Sequence, residues 1–98
     1  MSGRILVVDT DKSFVKGLRY SLEQDEYRID ILNEGSEALD HIQKKHYDMI
    51  LLELDLPDIN ALTLCQNIRS TSSVPIIFIT KINEDIKKIL ALEYGADD

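Results

Sequence analysis

The sequence predicts a single α/β domain, a parallel four-stranded sheet with helices on both faces. Two observations carry this. Four short runs rich in Ile, Val and Leu alternate with longer stretches that have helical periodicity. The first, third and fourth runs are almost continuously apolar, as strands covered on both faces are. At 98 residues there is room for one such domain and one modest core.

In chain order, Arg4–Val8 reads as the first strand, Arg-Ile-Leu-Val-Val. A helix follows over Lys12–Gln24, with Phe14, Val15, Leu18 and Leu22 on its core face. The second strand, 27–32, alternates apolar and polar residues and therefore suits a sheet edge. Ala38, Leu39 and Ile42 mark a second helix that begins near Ser36, its expected N-cap. Residues 49–54 form the third strand, and Ala61, Leu64, Cys65 and Ile68 the core face of the third helix. After the polar loop Ser70-Thr71-Ser72-Ser73 comes the fourth strand, 75–80. Asn83-Glu84-Asp85 then caps a fourth helix marked by Ile86, Ile89 and Leu90, with Gly95 as its C′ residue. Right-handed crossovers join these elements. The apolar fourth strand would sit on a sheet edge, which calls for further protein or a partner strand to cover it.

The composition narrows the function. A net charge of −7, from 18 acidic and 11 basic residues, leaves no basic stripe for nucleic-acid phosphates. Cys65 is the only cysteine, which excludes an internal disulfide and reads as a small buried hydrophobe. No signal peptide or membrane span fits, so a cytoplasmic location is expected. A glycine-rich phosphate loop is missing, and no Ser/His/Asp or Cys/His constellation suggests an enzyme. His41 and His46 read as surface residues, and Tyr20, Tyr27, Tyr47 and Tyr94 as boundary residues with wet hydroxyls.

Three strand tips hold the chemistry. The first strand ends in Asp9-Thr10-Asp11, the third in Glu53-Leu54-Asp55, and the fourth in Thr80-Lys81. In an open parallel sheet these tips lie side by side at the carboxyl edge, where ligands bind. Isolated acidic residues at strand ends are commonly just solvated; three converging on one edge favour a site. For Thr10 the plainer reading is an N-cap on the first helix.

The segments Ile5-Leu-Val-Val-Asp9, Tyr47-Asp48-Met-Ile-Leu-Leu-Glu53-Leu-Asp-Leu-Pro57, Val74-Pro-Ile-Ile-Phe-Ile-Thr80 and Gly95-Ala-Asp-Asp98 occur in order and correctly spaced. Together they resemble the receiver domain of two-component response regulators over the whole chain. The resemblance implies a flavodoxin-like, three-layer sandwich with sheet order 2-1-3-4, the fifth strand and last helix falling outside this sequence. It also implies that residues 1–98 are the N-terminal module of a longer regulator with an output domain, often DNA-binding. Its implied partner is a histidine kinase or another signalling protein, and the fourth helix is implied to contribute to a homodimer face.

A typical receiver takes a phosphoryl group onto an aspartate beside Mg²⁺. The resemblance places Glu53 at that acceptor position, four residues before Pro57. Asp9 matches the first residue of the metal-binding acidic pair, and Thr10 replaces the second. Asp55 matches the residue whose carbonyl completes the metal shell; as an acceptor it is disfavoured, its side chain being expected on the other side of the strand. Thr80 matches the switch hydroxyl. Lys81 stands where a small residue is usual, and reads either as a surface lysine or as a fixed cation in place of the metal. Asn60 and Ala61 replace the Asp-Gly of the usual turn. These departures imply a weak or absent Mg²⁺ site and a degenerate receiver, with Glu53 a partial mimic of the phosphorylated state. The alternatives are an active receiver with a non-standard acceptor and a purely structural interaction domain.

Overall fold

The computed structural model describes residues 3–79. Its elements run β1 (Arg4–Val8), α1 (Lys12–Gln24), β2 (Arg28–Leu32), a 3₁₀ turn (Gly35–Glu37), α2 (Ala38–Lys44), β3 (Met49–Glu53), α3 (Ala61–Arg69) and β4 (Ile76–Ile79). The strands form one parallel sheet, as the sequence pattern predicts, in the order β2-β1-β3-β4 that the receiver resemblance implies. The fourth helix, its Gly95 cap, and Thr80 and Lys81 lie outside the described residues.

Strand alternation splits the core into two layers. Leu6, Val8, Ile50, Leu52 and Ile76 face α2 and α3, where Ala38, Leu64, Cys65 and Ile68 pack against them. Ile5, Val7, Ile29 and Leu51 face the other way, onto Val15 of α1 with Leu18 and Leu22 beside it. Helices therefore cover both faces. Cys65 is fully buried, as expected of a small hydrophobe.

Several local expectations are corrected. Phe14 is 38% exposed, because Val15, Leu18 and Leu22 fill the row facing the sheet and Phe14 falls on its flank. Thr10 does not cap α1: Asp11 does, its carboxylate accepting from the Phe14 N–H at 3.0 Å. Ser36 does not cap α2 either. It lies inside the 3₁₀ turn that feeds the helix, and its own N–H donates to Asp58. β2 starts at Arg28 because Glu26 turns the chain with φ 67° and the Tyr27 N–H still closes the end of α1 on Leu22 O.

Tyr47 is no boundary residue with a wet hydroxyl. It is 4% exposed, and its hydroxyl donates to Asp30 Oδ2 at 2.6 Å. Arg4 and Lys45 approach the same oxygen at 3.4 Å. The Tyr47 bond, ahead of the two cations, holds the Asp30 carboxyl below its usual range. The tyrosine, desolvated and beside a carboxylate, is pushed well above its own. Tyr20, by contrast, is exposed, as is His46.

Candidate functional site

The carboxyl edge is assembled from the ends of β1 and β3. Val8 pairs with Leu52, so Asp9 and Glu53, the next residues, come level on neighbouring strands roughly 4.8 Å apart in backbone. They share the parity of Val7 and Leu51, which places both on the α1 side of the sheet. Both are buried, Asp9 at 0% and Glu53 at 3% exposure. They are the two buried charged side chains among the described residues. Hydrophobic strands flanked by helices hold carboxylates in this position, where isolated charge is costly.

Each carboxylate also organises its own loop. Asp9 Oδ1 accepts from the Asp11 N–H at 2.9 Å, and the Asp9 N–H donates to Leu32 O across the sheet. Glu53 Oε1 accepts from the Asp55 N–H at 3.1 Å, folding back over the turn after β3. Thr10 is exposed between the two acidic residues of its loop. Asp55 is an exposed turn residue. β3 ends at Glu53, so strand alternation does not put Asp55 on a far side. Glu53 pairs with Ile79 on β4. Thr80 and Lys81 follow Ile79 and lie outside the described residues.

The structure thus brings Asp9 and Glu53 together and leaves Asp55 and Thr10 at the rim. Among the described residues no group of three or more His, Cys, Asp or Glu is placed to hold a metal ion. Mg²⁺ commonly takes one or two protein carboxylates and completes its shell with water and phosphate oxygens. The donor pair Asp9 and Glu53 fits that chemistry at its minimum, with Thr10 contributing no charge.

A further contact joins the loop after β3 to the start of α2. Asp58, just after Pro57, accepts from the Gly35 N–H at 3.1 Å through Oδ1 and from the Ser36 N–H at 3.0 Å through Oδ2. The Ser36 N–H, with that of Gly35 behind it, pulls the Asp58 carboxyl below its ordinary range. The sequence signal is slight: an acidic residue after a proline, and a glycine 23 positions earlier. A shallow hollow of about 350 Å³ lies along the same loop, lined by Leu54, Asp55, Leu56, Ile59 and Asn60 among others. A larger one, about 520 Å³, sits at the opposite end of the strands between Lys45, His46, Tyr47 and Ser72, away from the carboxylate pair.

Comparison with known proteins identifies the family and the fold. The family model for the response regulator receiver domain matches residues 5–98. Response regulator ArlR of Staphylococcus haemolyticus is 40% identical over 94 residues, covering 96% of this chain and 43% of that protein. ArlR of Staphylococcus aureus strain Mu50 is 38% identical over 95 residues, covering 97% of this chain and 43% of the relative. The chain therefore spans less than half the length of these relatives. Among solved structures, a two-component response regulator from Clostridium difficile superposes with a TM-score of 0.92 at 38% identity, over 98% of this chain and 79% of that one. The BeF₃-activated N-terminal receiver domain of Klebsiella pneumoniae RstA gives a TM-score of 0.92 at 28% identity, over 97% and 81%.

Proposed function

This chain belongs to the response regulator receiver domains, and from that premise we propose that it is a degenerate receiver, not controlled by phosphorylation at residue 53. The observation that supports this is Glu53 itself. A carboxylate one methylene longer than aspartate occupies the tip of β3, buried beside Asp9 and held by the Asp55 N–H. Phosphoryl transfer depends almost wholly on positioning and charge neutralisation. An oxygen displaced by about an ångström can cost roughly 10²-fold in rate. Glu53 then acts as a fixed partial mimic of the phosphorylated state, with one negative charge where a phosphoryl group carries about −1.5 to −2.

Receiver domains typically bind Mg²⁺ in the phosphorylation site; here Asp9 and Glu53 would hold it, with the Asp55 carbonyl, and weakly. When bound it would neutralise charge between the two carboxylates. Asp9 and Glu53 otherwise keep their loops in place through the Asp11 and Asp55 N–H groups. Thr80 and Lys81 would read the carboxylate, Lys81 as its counter-charge.

On this reading the domain is a signalling module and not an enzyme. It is the N-terminal part of a longer cytoplasmic regulator and acts through contacts with a histidine kinase or another signalling protein, or with a second copy of itself. Its negative charge leaves nucleic-acid binding to an attached output domain.

The test is intact-mass analysis after incubation with acetyl phosphate and Mg²⁺, wild type beside Glu53→Asp. Wild type is expected to stay unmodified while the aspartate variant gains a phosphoryl group. A phosphorylated wild type overturns the proposal and makes the protein a receiver with a non-standard acceptor. If neither reacts, the loss goes beyond residue 53, and a pure interaction domain is the better description.

A further inference from the structure

We infer that Asp58 is a positioning residue that couples the tip of β3 to the start of α2, giving this domain a conformational route from residue 53 to its α2 surface. The route is short. Glu53 Oε1 holds the Asp55 N–H, and Asp58 follows in the same loop with only Leu56 and Pro57 between. Asp58 then grips two consecutive N–H groups, those of Gly35 and Ser36, one with each carboxylate oxygen. Those residues form the 3₁₀ turn that runs without a break into α2, whose first residue, Ala38, is fully buried in the core.

Packing makes the two loops one body. A Cβ on Gly35 would collide with Ile59 Cγ2, lie 2.9 Å from Leu56 Cδ1 and 3.2 Å from Leu64 Cδ2. The backbone at residue 35 is therefore seated directly beneath the loop that follows β3. Hydrogen bonds to an ionised acceptor are roughly twice as strong as neutral ones. Leu56 and Ile59 sit so close over Gly35 that not even a methyl group would fit between them, so a displacement of the loop after β3 is expected to press on the turn that opens α2. This coupling concerns geometry alone, and it holds whether residue 53 is a fixed carboxylate or a modified one.

Adjacency by itself does not establish coupling; a double-mutant cycle does. The readout is amide hydrogen exchange at Gly35 and Ser36, measured by NMR on wild type, Glu53→Asp, Asp58→Ala and the double variant. Asp58→Ala should speed exchange at both amides by about tenfold, the size expected for losing a bond to a charged acceptor. Glu53→Asp should speed it severalfold when Asp58 is present and have no further effect when it is absent. If Glu53→Asp alters the Asp55 amide but leaves Gly35 and Ser36 unchanged, the coupling does not exist. An equal effect of Glu53→Asp in the Asp58→Ala background also overturns the inference, since the signal then travels another way. Should Asp58→Ala fail to fold, Asp58→Asn keeps one acceptor oxygen and carries the same cycle.

Discussion

Replacing Tyr47 by phenylalanine removes one oxygen and one hydrogen bond, and the structure sets the size and pH dependence of the loss. The hydroxyl donates to Asp30 Oδ2 at 2.6 Å from a residue 4% exposed. Bonds to charged groups contribute about 1.5–3 kcal/mol. The Asp30 side chain is 27% exposed and keeps Arg4 and Lys45 at 3.4 Å, so the lower end applies, about 1.5 kcal/mol. For a domain of this size that is a fall in Tm of roughly 6–12 °C near pH 7. The sign with pH follows from Asp30, whose carboxyl the Tyr47 hydroxyl holds below the ordinary aspartate range in the folded state. Its contribution is complete above the unfolded pKa and disappears as pH falls through the lower folded value. Thermal melts by circular dichroism from pH 7 down to about pH 2 should therefore show the two proteins converging at the acid end, below the ordinary aspartate range. Equal Tm values at pH 7 would refute the reasoning. So would an undiminished gap in acid, which would assign the loss to packing instead of the ionic hydrogen bond.

Other substitutions test the loops and the core. Gly35→Ala should destabilise by about 1–3 kcal/mol in urea titration, because Ile59 and Leu56 leave no room for the methyl; a neutral result would contradict the close packing of the two loops. Asn60→Ala should cost about 1 kcal/mol by removing the cap that accepts from the Leu62 and Thr63 N–H groups. Asn60→Asp keeps that acceptor and should stay close to wild type. Cys65, fully buried, should resist a thiol reagent in buffer and react only when the domain unfolds; rapid labelling of the folded protein would place it wrongly.

Much of the fold was legible because burial on both faces leaves a direct mark in the sequence. Ile5 to Val8 and Met49 to Leu52 are unbroken apolar stretches, and each becomes a central strand. The edge position of β2 was legible in its alternation. What the sequence hid are contacts between distant residues. The entry to α2 is fixed by Asp58, 22 and 23 residues away from the N–H groups it accepts from, whereas local chemistry alone points to Ser36 as a cap. Tyr47 meets Asp30 across 17 residues, and a tyrosine with charged neighbours in sequence gives no sign of that partner. At the site, the pairing of Asp9 with Glu53 followed from parallel strand order and register. The return of each carboxylate to an N–H two residues on did not.

The central proposal is that residue 53 supplies a standing signal where other receivers carry a switchable one. The direct measurement is a set of amide NMR spectra: wild type, and Glu53→Asp with and without beryllofluoride and Mg²⁺. The expected result is that wild-type resonances lie between the two aspartate states, displaced toward the beryllofluoride form, and do not move when beryllofluoride and Mg²⁺ are added. Wild-type resonances that coincide with the unmodified aspartate variant, or that shift on addition, would contradict it.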